Sequence, residues 1–456
     1  MKLFQSVDMR EGNPVGQIVR FAVPMLLGNL AQQLYNTVDS IIVGRFVGDN
    51  ALAAVGSAGP ILNLMLVLFM GISVGASIMV SQYYGANMRD ELSRSVCCCM
   101  TLTGAASLII MAVGPLITRP LLQLLNTPES VIDWCQSYLT IIFVGIMGGG
   151  YYNILSGVMR GLGDSASALY YLLIATGLNI VLDYVFVAWF RMGVPGVAWA
   201  TVIAQFVSAV LAVRKIARMK NLFDLKREYF RPESHYTRTL IRLGLPSGAT
   251  QAIFSMSMII VQSLTNSFGE QFIAANVIVM RIDGFVMLPA FSLGTAMTTF
   301  AGQNIGAGRM DRVERGAREG TLTAMGISAV ITALILIFGR SLMGVFTRTE
   351  ELIELCFRMM KILAVGYIAM EVTQCLSGIM RGAGDTVTPM WVAIFNSVII
   401  RIPLAYGLVA LSKTPELPQG NCAMMYVSLL ITWVIGAGIT FVLYRRGKWK
   451  TKSELV

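Results

Sequence analysis

Apolar runs of about twenty or more residues recur twelve times along the chain, near 16–45, 52–82, 94–117, 132–158, 167–190, 195–217, 238–267, 272–302, 317–339, 354–380, 388–411 and 420–445. Each is long enough to cross the hydrocarbon core of a bilayer as a helix. The runs show no period-two alternation and exceed the length of a barrel strand, so helices are predicted and a transmembrane barrel is excluded. Polar residues concentrate between the runs. The expectation is an all-α integral membrane protein of twelve transmembrane helices.

The pattern is written twice. Leu155-Ser-Gly-Val-Met-Arg-Gly-Leu-Gly-Asp164 returns 221 residues later as Leu376-Ser-Gly-Ile-Met-Arg-Gly-Ala-Gly-Asp385, identical at eight of ten positions. Pro24 echoes Pro246, Gly48 echoes Gly269, and Gln82-x-x-Gly-Ala86 echoes Gln303-x-x-Gly-Ala307. Two pseudo-symmetric six-helix lobes are therefore expected: an N-lobe over 1–217, a charged cytoplasmic linker over 218–237, and a C-lobe over 238–456. Six runs separate equivalent positions. This even number gives both lobes the same polarity in the membrane and a pseudo-axis along its normal, a common plan for secondary transporters. The repeated phrase falls at the cytoplasmic ends of runs four and ten. Its glycines suit tight turns, and Arg160 with Asp164, and Arg381 with Asp385, are expected to tie or cap those turns.

Composition agrees with a membrane class: 55% of residues are hydrophobic and 13% charged, with 44 glycines that suit close helix approach. The net charge of +10 would suggest nucleic acid, but the positions of the charges exclude it. Arg214, Lys215, Arg218, Lys220, Lys226, Arg227, Arg231, Arg238 and Arg242 lie around the linker. Arg309, Arg312, Arg315 and Arg318 follow run eight, and Arg445, Arg446, Lys448, Lys450 and Lys452 follow run twelve. Basic residues gathered on one side mark the cytoplasmic face, which places both termini inside the cell. The first sixteen residues are polar and merge into run one, so no cleavable signal is predicted. The seven cysteines and the single histidine, His235, form no metal-ligand spacing, and the cysteines are expected to be reduced packing residues.

Ionisable side chains inside a span cost at least about 2.5–3.5 kcal/mol each, so each needs a reason to be there. In run one Gln32, Tyr35, Asn36 and Asp39 share one helical face. Run five carries Asn179 and Asp183 one turn apart, and run six carries Thr201 and Gln205. Asp39, Asp183 and Thr201 fall at one depth on the outer side of the bilayer. Two carboxylates, an amide and a hydroxyl are hard oxygen ligands for a small cation, and paired carboxylates invite a proton. In the second copy Asp39 corresponds to about Ile260 or Val261 and Asp183 to about Leu404. An acidic cluster confined to one copy suggests a site, not packing. Elsewhere, Arg281 and Asp283 in run eight pair locally or contact neighbours. Glu371 in run ten and Arg401 in run eleven either line a central cavity or pair with each other.

The duplicated twelve-span plan, Pro24, the two Gln-x-x-Gly-Ala elements and the twin Met-Arg-Gly-x-Gly-Asp turns together resemble the multidrug and toxic compound extrusion family over essentially the whole chain. The resemblance implies an antiporter, not an enzyme, in a bacterial or archaeal cytoplasmic membrane. By resemblance, H+ or Na+ is the coupling ion, no other cofactor is needed, and Asp39, Asn179, Asp183 and Thr201 form the cation site (the metal site if the ion is sodium). Gln32, Tyr35, Asn36, Asn153 and Gln205 are expected to line the adjacent drug cavity, with Glu371 and Arg401 as further cavity residues and Pro24 as a hinge. Glu371 with Gln374 resembles the second-lobe acidic position of another branch, whereas run seven offers Gln251, Ser255 and Gln262 in place of that branch's acid. Expected partners are cationic or amphipathic small molecules and the lipid bilayer, with no nucleic acid, for a monomer. The alternative is a lipid-linked oligosaccharide flippase of the same superfamily. No nucleotide loop or nucleophile–base pattern supports catalysis, and no continuous polar face supports a channel.

Overall fold

The computed structural model describes residues 5–124, 127–415 and 417–453, so the outermost ends of the expected lobes, 1–4 and 454–456, lie outside the described residues. Among the described residues the chain runs through twelve successive long helical segments. They are α1 (Pro14–Phe46), α2 (Asp49–Gly85), α3 (Arg89–Leu124), α4 (Glu129–Val144 and Ile146–Gly161), α5 (Ser165–Asp183, continued by the π-helical Tyr184–Trp189) and α6 (Gly193–Arg218). The second series is α7 (Ser234–Asn266), α8 (Glu270–Val286 and Leu288–Gly306), α9 (Met310–Gly344), α10 (Glu350–Gly382), α11 (Val387–Ile394, the π-helical Phe395–Ile400, and Arg401–Leu411) and α12 (Ala423–Arg445). Nine of these are long and apolar enough to span a membrane, and α4, bent by 54° at Gly145, makes a tenth. The remaining two, α1 and α10, are the helices that carry Gln32, Tyr35, Asn36 and Asp39, and Glu371 and Gln374.

Large apolar side chains cover the outside: Leu116, Trp189 and Leu411 are each more than three-quarters exposed. Such a surface would aggregate in water but is the solvated one in hydrocarbon.

Two compact units divide the chain, one of Met1–Asp8 and Val23–Gly248, the other of Met9–Ala22 and Ala249–Val456. Of the three divisions one, between Asp8 and Met9, precedes α1; the other two fall inside α1, between Ala22 and Val23, and inside α7, between Gly248 and Ala249, close to Pro24 and Pro246, the prolines within those helices. The core of the first unit gathers Ile42, Val43, Leu122, Leu139, Phe143 and Val197; that of the second gathers Phe272, Met360, Leu363, Tyr367 and Trp433. Equivalent details recur in the two cores. The Cys135 thiol donates to the Ala54 carbonyl (3.2 Å), and Cys356, 221 positions on, to the Ala275 carbonyl (3.6 Å). All seven cysteines are free thiols.

The repeated turns are built as caps. Gly163 and Gly384 take φ of 85° and 92°, a conformation that side-chain-bearing residues adopt only with strain. Asp164 then accepts from the Ser167 N–H (3.0 Å) and hydroxyl (2.7 Å), and Asp385 from the Thr388 N–H (3.1 Å) and hydroxyl (2.7 Å). The arginine of the motif does not close a salt bridge within its turn among the described residues. Asp164 pairs instead with Lys215 of α6 at 3.3 Å, and Arg160 points inward to donate to the Ser73 hydroxyl at 2.9 Å.

Polar contacts also dock the linker onto the first unit. Arg89 forks onto Asp224 (2.9 and 3.2 Å), Arg94 pairs with Glu233, and Thr101 donates to the Phe230 carbonyl at 3.0 Å. In the second unit the leader before α1 is held from below. Gln303 accepts from the Met9 N–H (3.0 Å), Asn304 donates to the Met9 carbonyl (3.0 Å), and Arg312 donates to the carbonyls of Glu11 (2.8 Å) and Gly12 (2.7 Å).

Within the second unit α8 and α10 approach at backbone distance: a Cβ placed on Gly378 would stand 2.3 Å from the Gly294 carbonyl oxygen. Small residues at such a crossing allow the van der Waals contact that drives helix association in lipid. Gly378→Val should therefore lower the thermal stability of the detergent-solubilised protein, by about 1–3 kcal/mol for forced overpacking. Gly407→Ala, facing open space, should leave the melting temperature within a degree or so of the parent; equal behaviour of the two variants in a size-exclusion thermostability assay would refute the close-packing argument.

Candidate functional site in the first unit

α1, α5 and α6 meet around a polar cluster that none of them could support alone. Asp183 is fully buried and Asn179 nearly so. The carboxyl groups of Asp39 and Asp183 stand within hydrogen-bonding distance of each other. Two ionised carboxylates are both acceptors, so a bond between them needs one proton. Oriented to satisfy both neighbours, the Asn179 amide donates to Asp183 Oδ2 at 2.8 Å and accepts from the Thr201 N–H at 3.1 Å. The Thr201 hydroxyl lies 3.4 Å from that amide and 3.5 Å from the Tyr35 hydroxyl. Asp39 Oδ1 and Asp183 Oδ1 are buried with no hydrogen-bond partner, and no Lys, Arg or His pairs with either residue, among the described residues.

Local irregularity positions the cluster. The α-helical part of α5 ends at Asp183, and the π-helical turn Tyr184–Trp189 follows directly. A wider turn of this kind shifts helix phase by one residue and is frequent at functional sites. A cavity of about 10 Å3, the room of one water, lies beside the cluster, bordered by Gln32, Tyr35, Thr176, Asn179, Thr201 and Gln205. Gln205 Oε1 is buried and unpartnered among the described residues.

The other residues singled out from sequence lie apart from that cavity. Asn36 is exposed. Asn153 donates to the Gly149 carbonyl of its own helix at 2.8 Å, and its backbone carbonyl accepts from the Ser73 hydroxyl at 2.6 Å. Glu371 and Arg401 belong to the second unit. Glu371 is buried with Oε2 unpartnered, Arg401 borders cavities, and the two form no ion pair among the described residues. Pro24 sits inside α1 beside the unit division.

Sequence reasoning missed Tyr138 of α4, a buried phenol within electrostatic range of Asp39, Tyr35 and Asp183. A single tyrosine in an otherwise apolar stretch carries no periodic signal; only the meeting of α4 with α1 and α5 exposes its role. Asp283 is a second case. It lies near enough to Tyr367 of α10, 84 positions away, and to Arg401 for each to act on its carboxyl group electrostatically, while the Tyr367 hydroxyl donates to Met360 Sδ at 3.5 Å.

Comparison with known proteins agrees with this architecture. The MatE family model matches twice, at residues 24–185 and 246–407. The "Probable multidrug resistance protein YoeA" of Bacillus subtilis is 31% identical over 422 residues, covering 91% of each chain. The "Probable multidrug resistance protein NorM" of Thermotoga maritima is 22% identical across 96% of this chain and 94% of its own. A protein of solved structure described as the "Outward-facing conformation of a multidrug resistance MATE family transporter of the MOP superfamily" superposes with a TM-score of 0.89 at 23% identity, over 97% of this chain and 98% of that one. With twelve helical segments, a duplicated sequence that the family model matches in both copies, and relatives aligned from end to end, this chain belongs to the MatE family of multidrug efflux transporters and is a membrane transporter, not an enzyme.

Proposed function

We propose that the protein is an antiporter that admits H+ or Na+ and exports cationic or amphipathic compounds by alternating access, as a monomer in a bacterial or archaeal cytoplasmic membrane. The observation that carries this reading is the Asp39–Asp183 pair: two carboxyl groups in contact inside a spanning unit, each with a bare oxygen and neither with a cationic partner among the described residues. Asn179 and Thr201 hold Asp183 and complete a set of hard oxygens. A proton needs only the two carboxyl groups; a sodium ion would draw on the amide and hydroxyl oxygens as well.

The exchange follows from charge. At an effective dielectric near 20, two unit charges about 4 Å apart interact by about 4 kcal/mol, close to a thousandfold in affinity. An ionised pair attracts a cationic drug to the first unit with a strength of this order. Neutralised by a proton or sodium, the same pair loses most of that attraction, and the drug leaves toward the outside. Coupling then requires only that drug and ion favour different states of one site. In the first unit the proposed drug-lining residues are Gln32, Tyr35 and Gln205 beside the pair, with Asn36 and Asn153 farther away; Glu371 and Arg401 are the proposed lining residues of the second unit. Pro24 is the proposed hinge that links protonation of Asp39 to bending of α1, because it removes a backbone hydrogen bond from the same helix.

Asp39→Asn and Asp183→Asn keep the shape of each side chain and remove its charge. Either substitution should reduce gradient-driven export of a fluorescent cationic dye from proteoliposomes by at least about tenfold while the protein remains monodisperse. Wild-type export by both variants would return the cluster to a packing role, and running the assay separately on proton and sodium gradients identifies the ion.

Pro24→Ala restores a continuous hydrogen-bond ladder in α1. The expected result is turnover slowed several-fold with dye affinity little changed; a fully active variant would remove the hinge from the mechanism.

The cytoplasmic assignment of the linker has its own check. In a cysteine-free background, His235→Cys should react with an impermeant maleimide in inverted vesicles and resist it in intact cells. The opposite pattern would reverse the topology.

A further inference from the structure

The second unit does not repeat the chemistry of the first; it inverts the sign. Its two adjoining cavities, about 50 and 90 Å3, share Arg401 as a common wall, and the smaller also exposes Arg381. Neither guanidinium makes a hydrogen bond or an ion pair to any side chain among the described residues. Asp283 acts on Arg401 through space without forming an ion pair with it, and no charged side chain neutralises Arg381, among the described residues. Leaving an arginine enclosed within a spanning unit without a partner is costly, so its persistence points to a ligand that supplies one.

The repeat explains how Arg381 came to be bare. Its counterpart Arg160 donates to the Ser73 hydroxyl at 2.9 Å. The residue 221 positions after Ser73 is Gly294, which has no hydroxyl to offer. Gly294 also packs against the Gln374 backbone, where a Cβ would meet the carbonyl oxygen at 3.0 Å. Arg401 has its own construction. It is the first residue after the π-helical turn Phe395–Ile400, just as Asp183 is the last before Tyr184–Trp189. Each unit thus sets one charged side chain at the end of a widened turn, an acid in the first and a base in the second.

We propose that the second-unit cavity binds the carboxylate of an amphipathic aromatic compound, with Arg401 and Arg381 as its anchors. Guanidinium groups present paired N–H donors that match a carboxylate fork to fork. Asn396 and Gln374 add polar groups, and Phe254 and Trp433 supply an apolar wall for a ring. The combined space is on the scale of the roughly 150 Å3 cavity that holds a benzene ring, which suits a benzoate-sized end and not a whole drug. Only the transport readout rests on the export reading above; binding tests this inference independently.

The probes are rhodamine 110, whose benzoate is ionised, and its methyl ester rhodamine 123, which has the same rings without the carboxylate. Binding is followed by fluorescence polarisation on the full-length protein in phosphatidylcholine nanodiscs. Arg401→Gln and Arg381→Gln should each weaken rhodamine 110 by about thirtyfold or more, the scale of losing one partner of an enclosed charge pair. They should change rhodamine 123 by less than about threefold, and Arg401→Lys should recover part of the loss. In the wild-type protein 4-methoxybenzoate should displace rhodamine 110 and spare rhodamine 123, a measurement that needs no variant to fold. Equal affinities in parent and variants, equal losses for the two dyes, or no displacement by 4-methoxybenzoate would each overturn the assignment. A further arm replaces part of the lipid with phosphatidylglycerol. Unchanged rhodamine 110 binding supports a cargo carboxylate, whereas a loss above about tenfold would assign the guanidinium pair to a lipid phosphate instead. Loss of rhodamine 123 export in Asp39→Asn is independent of all these outcomes, so the first-unit reading and this one can fail separately.

Discussion

Hydrocarbon offers no hydrogen bonds, and that single constraint organises the molecule. Backbone donors and acceptors must close on themselves, which leaves helices as the way for this chain to cross. Side chains face the same demand. Most of the spanning surface answers it by being apolar, down to Trp189 and Leu411 facing outward. The few polar groups that enter a span must find one another, and Asp39, Asp183, Asn179, Thr201 and Tyr35 do so across three helices. The cluster is therefore the expensive part of the first unit, and the part on which the proposed exchange of a cation for cargo draws.

Duplication makes the expense legible. Features that serve folding recur in both copies: the aspartate caps at Asp164 and Asp385, the left-handed glycines before them, and the thiol bonds of Cys135 and Cys356 to an equivalent carbonyl. Features tied to charge have diverged. The carboxylates of the first copy are apolar in the second, and the Ser73 that occupies Arg160 has become Gly294 beside an unoccupied Arg381. A common scaffold tolerates this because its packing depends on small residues and caps, which are indifferent to the sign of the charge lining a cavity.

Breaks in regularity cluster at the unit divisions and beside charged side chains. The two compact units divide within α1 and α7 next to Pro24 and Pro246. The π-helical turns adjoin Asp183 and Arg401. Proline removes a backbone donor and a widened turn loosens the hydrogen-bond ladder; both lower the local cost of bending a helix that is otherwise held straight by the absence of water.

Sequence alone determined the helical class, the approximate limits of the twelve segments, the duplication and the list of polar residues that needed a partner, because these follow from hydropathy, period and the offset of a repeated phrase. It also placed Asp39, Asn179, Asp183 and Thr201 on faces of three helices, since i, i+3 and i+4 spacing is a property of the helix itself. Which faces meet was decided only by tertiary packing. The contact of Asp39 with Asp183, the entry of Tyr138 from α4, the diversion of Arg160 from its own turn to Ser73, and the approach of Asp283 to Tyr367 and Arg401 all join residues far apart in the chain. The π-helical turns beside Asp183 and Arg401 were equally silent in sequence. They rotate side chains by a fraction of a turn that hydropathy does not register, and that rotation sets which cavity a charge enters.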